Sequence, residues 1–107
     1  MYARQVSMVL KPDSRAELTR KIESDILPLL RKQKGFQDEI SFINPAGKEA
    51  FAVSLWDNKE SAEAYNRTAY PKISGLLSDL IEGTPRVQYY EVANSTAHKI
   101  SAKQQAA

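Results

Sequence analysis

The chain has no cysteine, one histidine, one tryptophan and only four glycines. Without cysteine there can be no disulfide, no thiolate nucleophile and no cysteine-held metal. The one histidine, His98, stands beyond the last strand-like segment, where a solvated side chain is expected. A transition-metal site would then have to be built from carboxylates alone, so neither a metal nor any other cofactor is expected. No apolar run approaches the ~18 residues of a membrane span, and Met1-Tyr2-Ala3-Arg4-Gln5 leads into no signal-peptide core. A soluble cytoplasmic protein is expected, with no membrane partner. Fifteen basic residues against thirteen acidic ones leave a net charge of +2, too small and too dispersed an excess to expect nucleic acid. There is also no glycine-rich phosphate loop and no Ser-His-Asp set. What remains is 107 residues with 42% hydrophobic and 26% charged side chains, an ordinary composition for one small domain. A domain of that size buries only about two-thirds of its unfolded surface, so its core is modest.

Patterning divides residues 1–93 from a polar tail, 94–107, whose only bulky aliphatic is Ile100 and which is expected to be mobile. Tyr2 to Leu10 alternates with period two and reads as a strand, stopped by Lys11-Pro12. Ser14 with Glu17 forms a candidate capping box. It opens a long amphipathic helix through Leu18, Ile22, Ile26, Leu29 and Leu30, in which Pro28 predicts a kink and Glu17–Lys21 an i,i+4 pair. Gly35 is the expected stop. Phe36–Ile43 and Glu49–Trp56 read as two strands joined through Asn44-Pro45-Ala46-Gly47-Lys48. Asp57 or Asn58 caps a second helical stretch, interrupted at Tyr70-Pro71 and ended by Gly83. Arg86 to Val92 is the last strand.

The order β-α-β-β-α-β with right-handed crossovers predicts an α+β, ferredoxin-like fold: a four-stranded antiparallel sheet, helices on one face, first and third strands central. Grouping alternate residues gives one apolar set (Val6, Met8, Leu10, Phe51, Val53, Leu55) and one small or polar set (Gln5, Ser7, Val9, Ala50, Ala52, Ser54, Trp56). Neither set reads as solvated. Covering both faces of the sheet needs a second copy of the chain, so a homodimer packed through the sheet face is expected. The small set must line a cavity, hold water or receive large side chains.

Three segments carry a resemblance. Ile26-Leu27-Pro28-Leu29-Leu30-Arg31 with Gly35-Phe36, Leu55-Trp56-Asp57 with Ser61-Ala62-Glu63-Ala64-Tyr65, and Thr84-Pro85-Arg86-Val87 through Val92 resemble antibiotic-biosynthesis-monooxygenase-like (ABM) domains over residues 2–93. The resemblance implies a dimeric α+β barrel with a small cavity between each sheet and its own helices. It would put the stripe of Val6, Met8, Phe51 and Val53 in the barrel interior. It implies cofactor-independent oxidation of phenolic or quinol-like aromatics, with the substrate's carbanion as electron donor to oxygen. Such domains place a pocket tryptophan where this chain has Trp56, and a polar amide near Gln5. The haem-degrading branch needs a histidine where this chain has Ser74, so haem chemistry is not implied.

The substrate pocket expected on these grounds comprises Gln5, Ser7, Ser54, Trp56, Tyr65 and Ser74, with no catalytic residue assigned. The expected function is monooxygenation of a small aromatic or quinol-like substrate. A non-catalytic dimeric ligand-binding or scaffold domain is the alternative.

Overall fold

A computed structural model describes residues 1–98. The elements run β1 (Tyr2–Leu10), α1 (Arg15–Lys21), a π-helical turn (Ile22–Ile26), α2 (Leu27–Arg31), β2 (Phe36–Ile43), β3 (Glu49–Trp56), α3 (Lys59–Thr68), α4 (Tyr70–Leu77) and β4 (Ile81–Glu91). The four strands form one antiparallel sheet in the order β2-β3-β1-β4, so β1 and β3 are central, as the element order predicts. Leu18, Ile26, Leu30, Ala62, Tyr65, Ile73 and Leu77 from the helices bury against one face, together with Trp56 and Leu10 from the strands.

Local chemistry explains most of the boundaries and corrects several expected details. Ser14 has helical backbone angles and makes no side-chain cap; it accepts from Leu18 N–H through its carbonyl, and its side chain is buried. Glu17 therefore pairs with Arg20 one turn on, while Lys21 Nζ donates to the Leu76 carbonyl at 2.7 Å, tying the first helix to α4. Pro28 does not bend a continuous helix. The chain widens ahead of it, with Leu27 N–H reaching five residues back to the Ile22 carbonyl, and Pro28 falls in the first turn of α2, where its missing N–H costs nothing. Asn58, rather than Asp57, caps α3 by accepting from Ser61 N–H at 2.9 Å.

Gly83 does not end the second helical stretch. That stretch stops at Leu77, and Ile81, read as helical from its spacing, begins β4. Gly83 has φ +69° and stands where the β1–β4 register shifts, so the strand bulges there; Pro85 is tolerated beside it because β4 is an edge. Of the tail, residues 94–98 are described and the rest lies outside the described residues. His98 is not solvated as expected: its imidazole is 21% exposed and pairs with Asp38 on β2.

The largest correction concerns the two faces of the sheet. Residues directly opposed in an antiparallel pair share a face. Val6 opposes Ala52, Met8 opposes Ala50 and Arg4 opposes Ser54, whereas Gln5 opposes Val53 and Ser7 opposes Phe51. The small residues of β3 thus lie on the helix-covered face with the large residues of β1. Phe51 and Val53 lie with Gln5 and Ser7 on the open face, so the stripe of Val6, Met8, Phe51 and Val53 does not exist as one surface. On the open face Phe42 (43% exposed) stacks on Phe51 (37%), with ring centroids 4.5 Å apart, and Ile40 beside them is 54% exposed.

Candidate functional site

Ala50, Ala52 and Ser54 make a floor of small side chains along β3 beneath the helices. Above this floor is a cavity of about 60 Å³, partly open at its mouth, with Val6 and Met8 of β1 on one side. Ile22 and Ile26 of the π-helical turn form part of the opposite wall, and Tyr65 and Tyr70 close the end nearest Arg4. Most of the wall is apolar. The polar groups belong to Arg4, Glu39, Ser41, Ser54, Tyr65 and Tyr70.

Arg4 sets the character of the site, and the sequence reading passed over it. Its residue is 2% exposed, yet among the described residues no carboxylate forms an ion pair with it. The guanidinium lies over the Tyr70 ring at 4.0 Å from the centroid and 5.1 Å from that of Tyr65, and Nη2 donates to Asn66 Oδ1 at 2.8 Å. Nε is buried without a hydrogen-bond partner. A buried cation lacking an acid is costly to the fold, and such groups are normally satisfied. One signal in the sequence pointed to it: Arg4 is in period-two phase with Val6, Met8 and Leu10, which puts it on the apolar face of β1.

Glu39 lies in the same cross-strand row. It opposes Ser54 on β3, and Ser54 opposes Arg4 on β1, so acid, hydroxyl and cation stand on three successive strands. Burial pushes the Glu39 carboxyl above the ordinary carboxylate range, partly opposed by a hydrogen bond from Ser41 Oγ. Because the folded state favours the protonated acid, this group's contribution is fully present below the usual glutamate pKa. It is lost as pH rises through the raised value. Glu39→Gln is therefore expected to be more stable than the parent at neutral pH, with the gap closing in acid, as urea denaturation at a series of pH values would measure. Burial also pushes the Tyr65 hydroxyl up to about 12, against an opposing pull from Arg4, so this phenol stays protonated at neutral pH.

The expected pocket residues divide three ways. Ser54 and Tyr65 meet at the cavity. Trp56 is fully buried behind it, edge-on to Phe36 and 4.9 Å from Tyr65, and its Nε1 donates to Ser54 Oγ at 2.9 Å. Ser54→Ala would strand that buried indole N–H and is expected to cost ~1–3 kcal/mol in a denaturant titration. Gln5 and Ser7 lie on the opposite face of the sheet, and Ser74 is half-buried on α4 away from the cavity wall. Among the described residues no three metal-ligating side chains come together, and no helix is long and apolar enough to cross a membrane.

No protein-family model and no curated protein matches the chain. Solved structures do. The monooxygenase from the gene ActVA-Orf6 of Streptomyces coelicolor, in complex with the ligand nanaomycin D, superposes with a TM-score of 0.75 over 88% of each chain at 13% identity. This is the antibiotic biosynthesis monooxygenase-like fold. A protein of unknown function from Nitrosomonas europaea shares it, with a TM-score of 0.73 and 17% identity over 89% of this chain and 91% of that one. So does a protein described as an antibiotic biosynthesis monooxygenase, with a TM-score of 0.69 and 10% identity over 86% of this chain and 98% of that one. The ABM-like fold is thus common to monooxygenases and to proteins without an assigned activity, and at these identities it is the fold that is shared.

Proposed function

We propose that the chain is a cofactor-independent monooxygenase of a small aromatic or quinol-like substrate. The observation that carries this reading is the buried, acid-free Arg4 at the cavity between sheet and helices, in a fold that monooxygenases share. In such a reaction the deprotonated substrate is itself the reductant. An activated methylene and O2 give a ketone and water: one oxygen atom stays in the product and the other leaves reduced. The protein has to hold the substrate, stabilise its oxyanion and manage a proton. Arg4 supplies the positive charge, Tyr65 a protonated hydroxyl, and Glu39 a carboxyl whose raised pKa suits proton exchange.

Size supports a compact substrate. An apolar cavity of about 150 Å³ admits benzene, and this one is smaller. A ring enters as the walls yield, and the yielding parts are the flexible thioether of Met8 and the π-helical turn carrying Ile22 and Ile26. Oxygen consumption with a panel of hydroquinones and anthrone-like phenols tests the proposal: uptake that depends on substrate supports it, and no uptake with any member removes it. Binding without turnover is the second reading, favoured by a cavity wall with no histidine among the described residues. It predicts ligand affinity with no oxygen uptake.

We further propose a homodimer packed through the open face of the sheet, where Ile40, Phe42 and Phe51 offer a contiguous apolar surface. Sedimentation should give twice the 12.0 kDa of one chain. A particle of single-chain mass at micromolar concentration would overturn this.

A further inference from the structure

We infer that the ligand of this cavity binds as a monoanion: a planar ring bearing one carboxylate, phenolate or enolate oxygen, which accepts a hydrogen bond from Arg4 Nε. The inference rests on the helix-side cavity being the functional site and adds the chemical class of what enters it. A guanidinium has two kinds of surface, its flat faces and its N–H edges. Here the Tyr70 ring covers a face, and the Nη2 edge is taken by the Asn66 side-chain oxygen. The Nε edge is buried and has no partner. The groups that touch the guanidinium are two phenol rings and an amide, and Glu39 stands a strand away with no ion pair to it, so Arg4 has no anion in contact until one arrives.

The anion must be small in charge as well as size. Arg4 is the only lysine or arginine among the described residues lining the cavity, and one guanidinium balances a single negative charge rather than the near-double charge of a phosphate. The rest of the ligand is apolar and flat. Arg4 and Glu39 are separated by one intervening strand, or roughly 10 Å between backbones at the usual strand spacing, and the residue between them is the short Ser54. Once the walls yield, a single ring would lie over Ser54 and Ala52, edge-on to Arg4, with Glu39 at its far side. A cationic ligand would be repelled by the Arg4 charge, and a neutral one would leave that charge unpaired.

Matched pairs of probes test this on the intact chain by calorimetric titration: benzoate against benzamide, and ionised 4-nitrophenol against nitrobenzene. The expected result is that an anion binds at least about tenfold more tightly than its neutral counterpart, the scale of one buried charge-assisted hydrogen bond. Which anion prevails distinguishes a carboxylate from a phenolate source. In Arg4→Gln, checked for folding by circular dichroism, the preference should vanish. If that variant does not fold, the Arg4 Nε–H resonance of the parent protein should shift on adding the anion and not on adding the amide. Equal affinity within both pairs, no binding of any probe at millimolar concentration, or a preference that survives Arg4→Gln would overturn the inference. An anion preference without oxygen uptake leaves it standing and removes the oxygenase reading. Uptake of substrates without an anion preference does the reverse.

Discussion

Replacing Arg4 by methionine is expected to weaken binding of an anionic aromatic by about 100-fold, the loss typical when one partner of a desolvated charge pair is removed. The same change should leave the unfolding free energy within about 1 kcal/mol of the parent, or raise it. Three contributions set that balance. Burying a guanidinium costs several kcal/mol. The hydrogen bond to Asn66 and the Tyr70 and Tyr65 rings offset that cost by about 2 kcal/mol each at most. Methionine is flexible enough to occupy the space over the same rings without a charge. Titration calorimetry and urea denaturation of the two proteins check both halves. A residue retained for function separates the two effects in this way. A loss of several kcal/mol in stability would instead make Arg4 a structural strut.

Trp56 is expected to behave in the opposite manner. Truncation to alanine removes a fully buried indole from between Phe36 and Tyr65, together with its hydrogen bond to Ser54. The expected cost is ~3–5 kcal/mol, a large part of the total stability of a small domain. Trp56→Phe keeps much of the packing but strands nothing on the Ser54 hydroxyl, which also donates to the Arg4 carbonyl. It should cost far less and leave ligand affinity near that of the parent, because Tyr65 stands between this ring and the cavity. Thermal unfolding of the two variants, followed by circular dichroism, measures the difference. A Trp56→Phe variant that folds normally but loses ligand binding would place the indole in the site itself.

The strands were legible because period-two alternation is a local property: Tyr2–Leu10, Phe36–Ile43 and Glu49–Trp56 end where the alternation predicts. The phase between strands is not local. Nothing within Glu49–Trp56 says whether Ala52 or Phe51 will share a face with Val6; the pairing register decides it, and here it turns Phe51 outward and Ala52 inward. Gln5 and Ser7 therefore separate from Ser54, although all three read as one small, polar stripe. β4 was read too short because Ile81 continues the helical spacing of Leu77 and Leu80, while the bulge at Gly83 that lets the strand begin there is set by pairing with β1. Arg4 was hidden for a different reason. A charged residue in a strand is ordinarily solvated, and only its phase with Val6, Met8 and Leu10 marks it as buried. The proline at position 28 announced a break in the helix but not its form, since a π-helical turn ahead of it and a kink at it both accommodate a residue with no N–H.

The central claim is that the working side of this sheet is the one beneath the helices, centred on Arg4. Amide and arginine side-chain NMR of the isotope-labelled protein during a benzoate titration tests it most directly. The largest shifts should fall on Arg4, Ser54, Tyr65 and Tyr70, with the Arg4 Nε–H signal moving as it gains an acceptor, while the side chains of Gln5 and Ser7 on the open face stay unchanged. Shifts confined to the open face, or a silent Arg4 Nε–H at saturation, would contradict it.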